Sequence, residues 1–347
     1  MATDTLSDVL RTVRLRGAAF YAVRAGADWA VAAPPAVEIA EAVLPGAGHV
    51  MAYHVLIDGA AWAGLPGGPL ARLAPGDVVL FPQGDAHLLC SAPGVPPLRF
   101  SPEWVRATQQ LATPFAVAPG VGGAFAWGAS ARPDEHPPDS TDGGSSVACG
   151  FLGCDHGPFN PLLDALPRML HVPAEGDGAW LRQLMRQAIE ASAGAGPGAC
   201  ALAERMGETM FIDTVRRHAA RLPDGATGWL AGLRDRQIAR ALALIHAEPQ
   251  RPWTVDALAR AAALSRSAFC ERFARLVGAA PARYLARWRM ARAGALLRQS
   301  RAPVAAIALA VGYESEAAFT RAFARVAGMP PSRWRGAADV SATAPIR

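Results

Sequence analysis

Over the first half of the chain, apolar residues come in short runs cut by glycine and proline. The run Val50–Ile57 ends at Asp58-Gly59, a Gly67-Gly68 pair follows, and Val78–Phe81 stops at Pro82. Short runs at this spacing predict an all-β sandwich or barrel over residues 1–175. Residues 131–146 hold almost no apolar side chain and predict a mobile loop within it. The period changes after about residue 177. Trp180, Leu181, Leu184, Met185, Ala188 and Ile189 recur at helical spacing. Leu202, Met206, Met210, Phe211 and Val215 do the same beyond a Gly/Pro break at 194–198. Two such helices either bridge the flanking regions or form a dimer seam, and Met210 and Phe211 widen the apolar stripe in favour of the seam. From Asp235 onward the pattern is helical, broken at Pro249, Pro252, Pro281, Pro303 and Pro330-Pro331.

This helical region repeats itself. Ser265–Gly278 and Ser315–Gly328 share Ser, Ala, Phe, Phe, Ala, Arg and Gly in register at an offset of 50, and Pro281 matches Pro331. Upstream, Leu258-Ala259 matches Ile307-Ala308 at an offset of 49, so the turn in the second copy is one residue longer. Each copy reads as a helix-turn-helix, over about 253–276 and about 303–326. Val255, Leu258, Ala259 and Ala262 form one apolar helix face; Val304, Ile307, Ala308 and Val311 form its counterpart. Ser265 and Ser315 are placed to cap the second helix of each pair, with Phe269/Phe273 and Phe319/Phe323 one turn apart on the buried side.

Charge supports the same division. Residues 234–335 contain 18 arginines, no lysine and 6 acidic residues, a net of +12, while the remainder is net −7. A basic segment joined to an acidic one points to a polyanion-binding module beside a domain with another task. The five cysteines (Cys90, Cys149, Cys154, Cys200 and Cys270) are too scattered for a disulfide framework, no apolar run is long enough to cross a bilayer, and the first residues are acidic where a signal peptide would be basic. The expected location is the cytoplasm.

The stretch Ile307–Arg335, together with Tyr284–Leu297 before it, resembles the C-terminal signature and connecting helix of the AraC/XylS family of regulators. The resemblance implies a DNA-binding domain that lays two recognition helices in successive major grooves on one face of the duplex. The outward candidates are Ser267, Cys270 and Glu271 in the first copy and Ser315, Glu316, Ala317, Thr320 and Arg321 in the second. Arg266, Arg272, Arg275, Arg325 and Arg289 are assigned to phosphate. Related chains commonly look basic where Glu271 stands, so the readout of the first copy departs from the pattern. Arg321, its repeat partner, can fork onto guanine or grip a phosphate.

In the N-terminal half, Gly76–His87 has the spacing Gly-x5-Pro-x-Gly-x2-His and is similar to the second signature of cupin barrels; Tyr53–Trp62 looks like a remnant of the first. The His-x-His pair and the Glu of metal-binding cupins are incomplete. His54, His87 and Cys149 are the candidate pocket residues. A metal site, with Zn²⁺ as the ion considered, would need His54 and His87 plus a thiolate from Cys149 or Cys154; the alternatives are a pair of barrel histidines with no ligand and a redox role for Cys149 with another thiol. Cys149 and Cys154, five apart, would face opposite ways on a regular strand.

Together these readings predict an α+β multidomain protein. A cupin-like barrel occupies 1–175, a helical linker and dimerisation segment 176–227, an all-α domain with two helix-turn-helix units 228–337, and a flexible tail 338–347. The expected function is a sequence-specific transcription regulator, not an enzyme, whose barrel senses a small molecule, metal or stress signal. Expected partners are promoter double-stranded DNA, a small-molecule effector, a second copy of the chain and RNA polymerase. The alternative is a cupin enzyme, an isomerase or dioxygenase, carrying a DNA-binding tail; the incomplete metal signature counts against it.

Overall fold

The computed structural model describes residues 4–25, 28–99, 116–119, 125–128, 144–155, 157–174, 179–193 and 197–342, and the chain divides into two compact units. One is helical and comprises residues 1–14, 155–165 and 219–347; it begins with α1 (Thr5–Val13). The other is a β unit made of residues 15–154 and 166–218. The sequence boundary at 175 therefore differs from the structural one. Leu6, Val9 and Val13 give α1 an apolar stripe that is buried within the helical unit, so the chain's first helix belongs to that unit.

The strands of the β unit are β1 (Arg16–Ala25), β2 (Ala30–Ala33), β3 (His49–Asp58), β4 (Ala61–Gly64), β5 (Ala71–Leu73), β6 (Val78–Phe81), β7 (His87–Cys90), β8 (Leu98–Arg99), β9 (Ala116–Pro119), β10 (Phe125–Gly128), β11 (Ser145–Cys154) and β12 (Leu170–Val172). Among the described residues they form a seven-stranded sheet, β10-β9-β1-β11-β3-β6-β12, and a five-stranded sheet, β5-β4-β7-β2-β8. The short apolar runs become these strands, and their inward residues (Val31, Leu56, Ala63, Phe81, Leu89 and Val147 among them) make one core between the sheets. β3 is buried at every position from Val50 to Ile57, so both of its faces are covered. Its second face meets helices. Ala36, Ile39 and Val43 of α2 (Ala36–Val43) pack with Val50.

After β11 the chain passes through α3 (Pro161–Ala165) and β12 into α4 (Ala179–Ala193), which packs on β1, β3 and β11, and α5 (Ala199–Arg221). α5 also comes close to the sheet. Tyr53 of β3 lies beside Gly150 and Gly207, and a Cβ at Gly150 would sit 2.4 Å from its hydroxyl. The sequence favoured Met210 and Phe211 as a dimer seam, and the structure corrects this: they are 0% and 1% exposed, covered within their own chain. Of the stretch predicted as a mobile loop, residues 131–143 lie outside the described residues.

The helical unit continues with α6 (Trp229–Arg234), α7 (Arg236–Ala247), α8 (Val255–Ala261), α9 (Arg266–Val277), α10 (Pro281–Gln299), α11 (Val304–Ala310), α12 (Glu316–Ala327) and α13 (Pro331–Ala342). α13 runs into the first residues of the predicted tail, and 343–347 are not described. α8–α9 and α11–α12 are the two helix-turn-helix units. Ser265 accepts a hydrogen bond from the Ala268 amide at 3.3 Å, Ser315 accepts one from Ala318 at 3.4 Å, and Gly278 and Gly328 close both second helices in the left-handed conformation. The second unit packs on Met290, Leu297 and Trp334, while Phe273 of the first meets Tyr284 edge-on at 5.8 Å. α1 covers part of α7 and α10, and Phe159 of the 155–165 segment lies under the Arg287 guanidinium at 3.9 Å.

Candidate nucleic-acid interface

With Phe269, Phe273 and Leu276 buried, α9 presents Arg266, Ser267, Glu271 and Arg275 to solvent and keeps Cys270 half-buried. On α12, burial of Phe319, Ala322 and Phe323 leaves Glu316, Ala317, Arg321 and Arg325 exposed, with Thr320 half-buried. The outward residues read from the sequence thus fall on one strip of each helix, because the 3.6-residue period that buries the phenylalanines turns them away from the core. Ser315 is exposed, but its hydroxyl is engaged in the cap. No ion pair or hydrogen bond to another side chain holds Arg275, Arg321 or Arg325 among the described residues. Their guanidiniums are therefore available to an anion.

Two of the arginines assigned to phosphate are committed elsewhere. Arg272 donates to Asp235 from Nε at 2.8 Å and from Nη2 at 2.5 Å. Asp235 is also the cap of α7, accepting from the amides of Gln237 and Ile238. Burial pushes its carboxyl up, but the Arg272 hydrogen bond and those two amides outweigh that and hold it below the usual carboxylate range. Arg289 likewise points into the protein, donating to the carbonyls of Pro249, Arg251 and Gly312. Arg266 pairs with Asp256 at 3.2 Å, but both are exposed, so a phosphate competes for it readily. The Asp235 anchor was not foreseen because it lies upstream of the repeat and its partner is found only in three dimensions.

The β unit holds a second polar cluster. β3 and β11 place His54 opposite Cys149, and β7 brings His87 across from the other sheet. Cys149 Sγ is 2.9 Å from His54 Nδ1, and His54 Nε2 is 2.8 Å from His87 Nε2. His87 Nδ1 lies 3.0 Å from the carbonyl oxygen of Asp85, which can only accept. That fixes every proton: His87 donates from Nδ1 to Asp85, His54 donates from Nε2 to His87, and the Cys149 thiol donates to His54 Nδ1. Burial, together with the neighbouring His87, drives His54 well below the usual imidazole range. Burial brings His87 down to about 4 against the opposing pull of Asp85, and pushes the Cys149 thiol up. The network is neutral.

These donors do not fit one metal ion. The two nitrogens of His54 point to different partners, so Cys149 and His87 stand on opposite sides of the ring. Among the described residues no three His, Cys, Asp or Glu side chains converge on one point. Cys154 lies at the far end of β11, opposite His49 and outside the cluster of residues around Cys149. The sequence candidates His54, His87 and Cys149 are brought together, and Cys154 is not.

A family model described as Cupin matches residues 4–220, and one described as Helix-turn-helix domain matches residues 258–337. Two curated relatives, each named a putative AraC-like transcription regulator, come from Streptomyces antibioticus and Streptomyces lividans. They are 46% and 45% identical over 175 residues, which are 50% of this chain and 58% of each relative. The chain thus spans little more than half the length of these relatives. The HTH-type transcriptional regulator AlkR of Acinetobacter baylyi is 28% identical, over 96% of this chain and 99% of its own. No helix among the described residues is long and apolar enough to cross a membrane.

Proposed function

This chain is a member of the cupin family, and on that premise we propose that it regulates transcription, binding promoter DNA through α9 and α12 in adjacent major grooves. The observation that carries this reading is the duplicated serine-capped helix with an outward strip of polar and cationic side chains. Arg321 reads bases, Arg266, Arg275 and Arg325 position phosphate, and Ser267, Cys270, Glu271, Glu316, Ala317 and Thr320 line the strips between them. The β unit reads a signal, and its polar centre is Cys149–His54–His87, set in an otherwise apolar core. The chain acts as a regulator and not as an enzyme. A second copy is an expected partner, seated on Trp180 and Leu202, which are 41% and 47% exposed. RNA polymerase is the further partner that regulation calls for.

Selection of full-length protein on a random duplex library, followed by titration at rising salt, tests the proposal. A two-part site should emerge, bound with an affinity that falls steeply with salt as counterions are released. If no sequence is enriched and no duplex is retarded at low salt, the reading fails.

A further inference from the structure

The two helix-turn-helix units share no extensive helix-to-helix packing with each other; each rests instead on α10, the helix between them. The turn of the second unit comes close, backbone on backbone, to the loop that precedes the first. A Cβ at Gly312, in the turn of the second unit, would lie 2.6 Å from the carbonyl oxygen of Gln250, in the loop that leads into the first. At that point stands Arg289, halfway along α10. Its Nε donates to Pro249 at 2.7 Å and its Nη2 to Arg251 at 2.9 Å, both in the 248–253 loop; its Nη1 donates to Gly312 at 3.3 Å.

The loop is itself ordered by local bonds. The Trp253 indole donates to Glu248 at 3.0 Å, the Trp253 amide donates to Arg251 at 2.8 Å, and the Arg251 guanidinium covers the Trp253 ring at 4.1 Å. One planar fork therefore clamps a firm loop of the first unit and the turn of the second onto a shared helix. Lysine could not do this, because its single ammonium cannot present separated donors in one plane.

We propose that Arg289 is the residue that fixes the mutual angle of the two recognition helices, and so the number of base pairs the protein accepts between its two half-sites. This rests on the DNA-binding reading above. The clamp matters because B-DNA turns about 34–36° per base pair, so one added pair rotates a half-site out of reach of a rigid pair of helices. Arg289 positions and does not itself touch DNA.

The test uses the full chain and the two-part site enriched from a random library, with one or two base pairs added or removed between the halves. Wild type should lose roughly 10-fold or more in affinity for each single-pair change. Arg289→Lys, which keeps the charge, should bind the native spacing within about 3-fold of wild type yet lose only about 2- to 3-fold on a shifted spacing. Arg289→Gln should flatten the preference in the same way, and thermal melting confirms which variants are folded at the assay temperature. Equal weakening at every spacing would overturn the proposal, whether it came from lost stability or from a lost phosphate contact. A phosphate contact would also lower the salt slope by about one. Failure of wild type to bind any duplex is a separate result and refutes the DNA-binding reading itself.

Discussion

In the first helix-turn-helix unit, the residue in the left-handed conformation between the helices is Ala263, at φ 55°; in the second it is Gly312, at φ 86°. The recognition helix of the first unit is tied to the rest of the protein by Arg272 on Asp235, while the repeat partner of Arg272 is Ala322, buried in an apolar cluster. The core of the first unit rests on a buried polar chain: Trp229 donates to the Tyr284 hydroxyl, which is hydrogen-bonded to His246 Nε2, each at 2.8 Å. No histidine follows His246 in the sequence, and Tyr313 packs against the apolar cluster of the second unit. Two copies of one motif thus keep the same caps and phenylalanines but differ in how they are fastened: Arg272 reaches Asp235 in the first, and a buried alanine stands at that position in the second. Duplicated folding units need only conserve volume and hand; how each is fastened can diverge.

The largest expected effect is on the second copy. Gly312→Ala forces a side chain into a left-handed residue and drives its Cβ to 2.6 Å from Gln250 O and 2.9 Å from Arg289 Nη2. A loss of about 3 kcal/mol is expected in chemical denaturation. A change under about 1 kcal/mol would mean that the two units are not in close contact.

Acid should reverse the order. Burial and nearby Arg292 lower His246 to about 3, so it stays neutral when folded, while in the unfolded chain it takes up a proton near the ordinary value of 6.5. Stability from this group is complete above that value and is lost as pH falls towards 3, by about 1.4 kcal/mol per pH unit, or about 2 kcal/mol by pH 5. Amide exchange at pH 7 and pH 5 should show α7–α9 loosening before α11–α12. Simultaneous loosening would erase the contrast drawn between the cores.

The two outward strips differ by Arg321 against Glu271. Arg321→Ala should cost about 1–3 kcal/mol in binding and relax the preference at one or two adjacent base pairs. Glu271→Arg should raise affinity for many sequences at once and steepen the salt dependence. If site selection with Arg321→Ala returned the unaltered sequence, and Glu271→Arg weakened binding, the first copy would be the main reader.

Asp235→Ala removes the cap of α7 and the anchor of Arg272. Because Arg272 is 42% exposed, the ion pair adds little to the cap, and about 1 kcal/mol should be lost, with fraying confined to the first unit. The smallest effect is a gain. Ala263→Gly relieves a left-handed alanine and should stabilise by under about 1 kcal/mol in the same denaturation assay. Destabilisation there would show that the Ala263 methyl group is a packing contact.

Much of this was legible because it is local. The offset of 50, the serine caps and the paired phenylalanines specify two helices and a turn through bonds spanning three or four residues, and the one-residue difference between the turns was visible by aligning the copies. The β half was legible as strands, since short apolar runs and Gly/Pro breaks act within a few residues. Pairing was not, because which strand lies beside which depends on loop closure and core volume.

By itself the sequence determined the class of each region, the duplicated motif and the strip of each recognition helix that faces outward, all consequences of backbone period and local hydrogen bonding. Only the tertiary structure decided the rest. It buried Met210 and Phe211 inside the chain, turned Arg272 and Arg289 from free cations into anchors, and set His54 between Cys149 and His87 so that no shared metal site remains. A side chain's partner across 30 or 100 residues is chosen by where the packed elements leave room and by which buried polar groups must be satisfied, and neither is written in the spacing of residues along the chain.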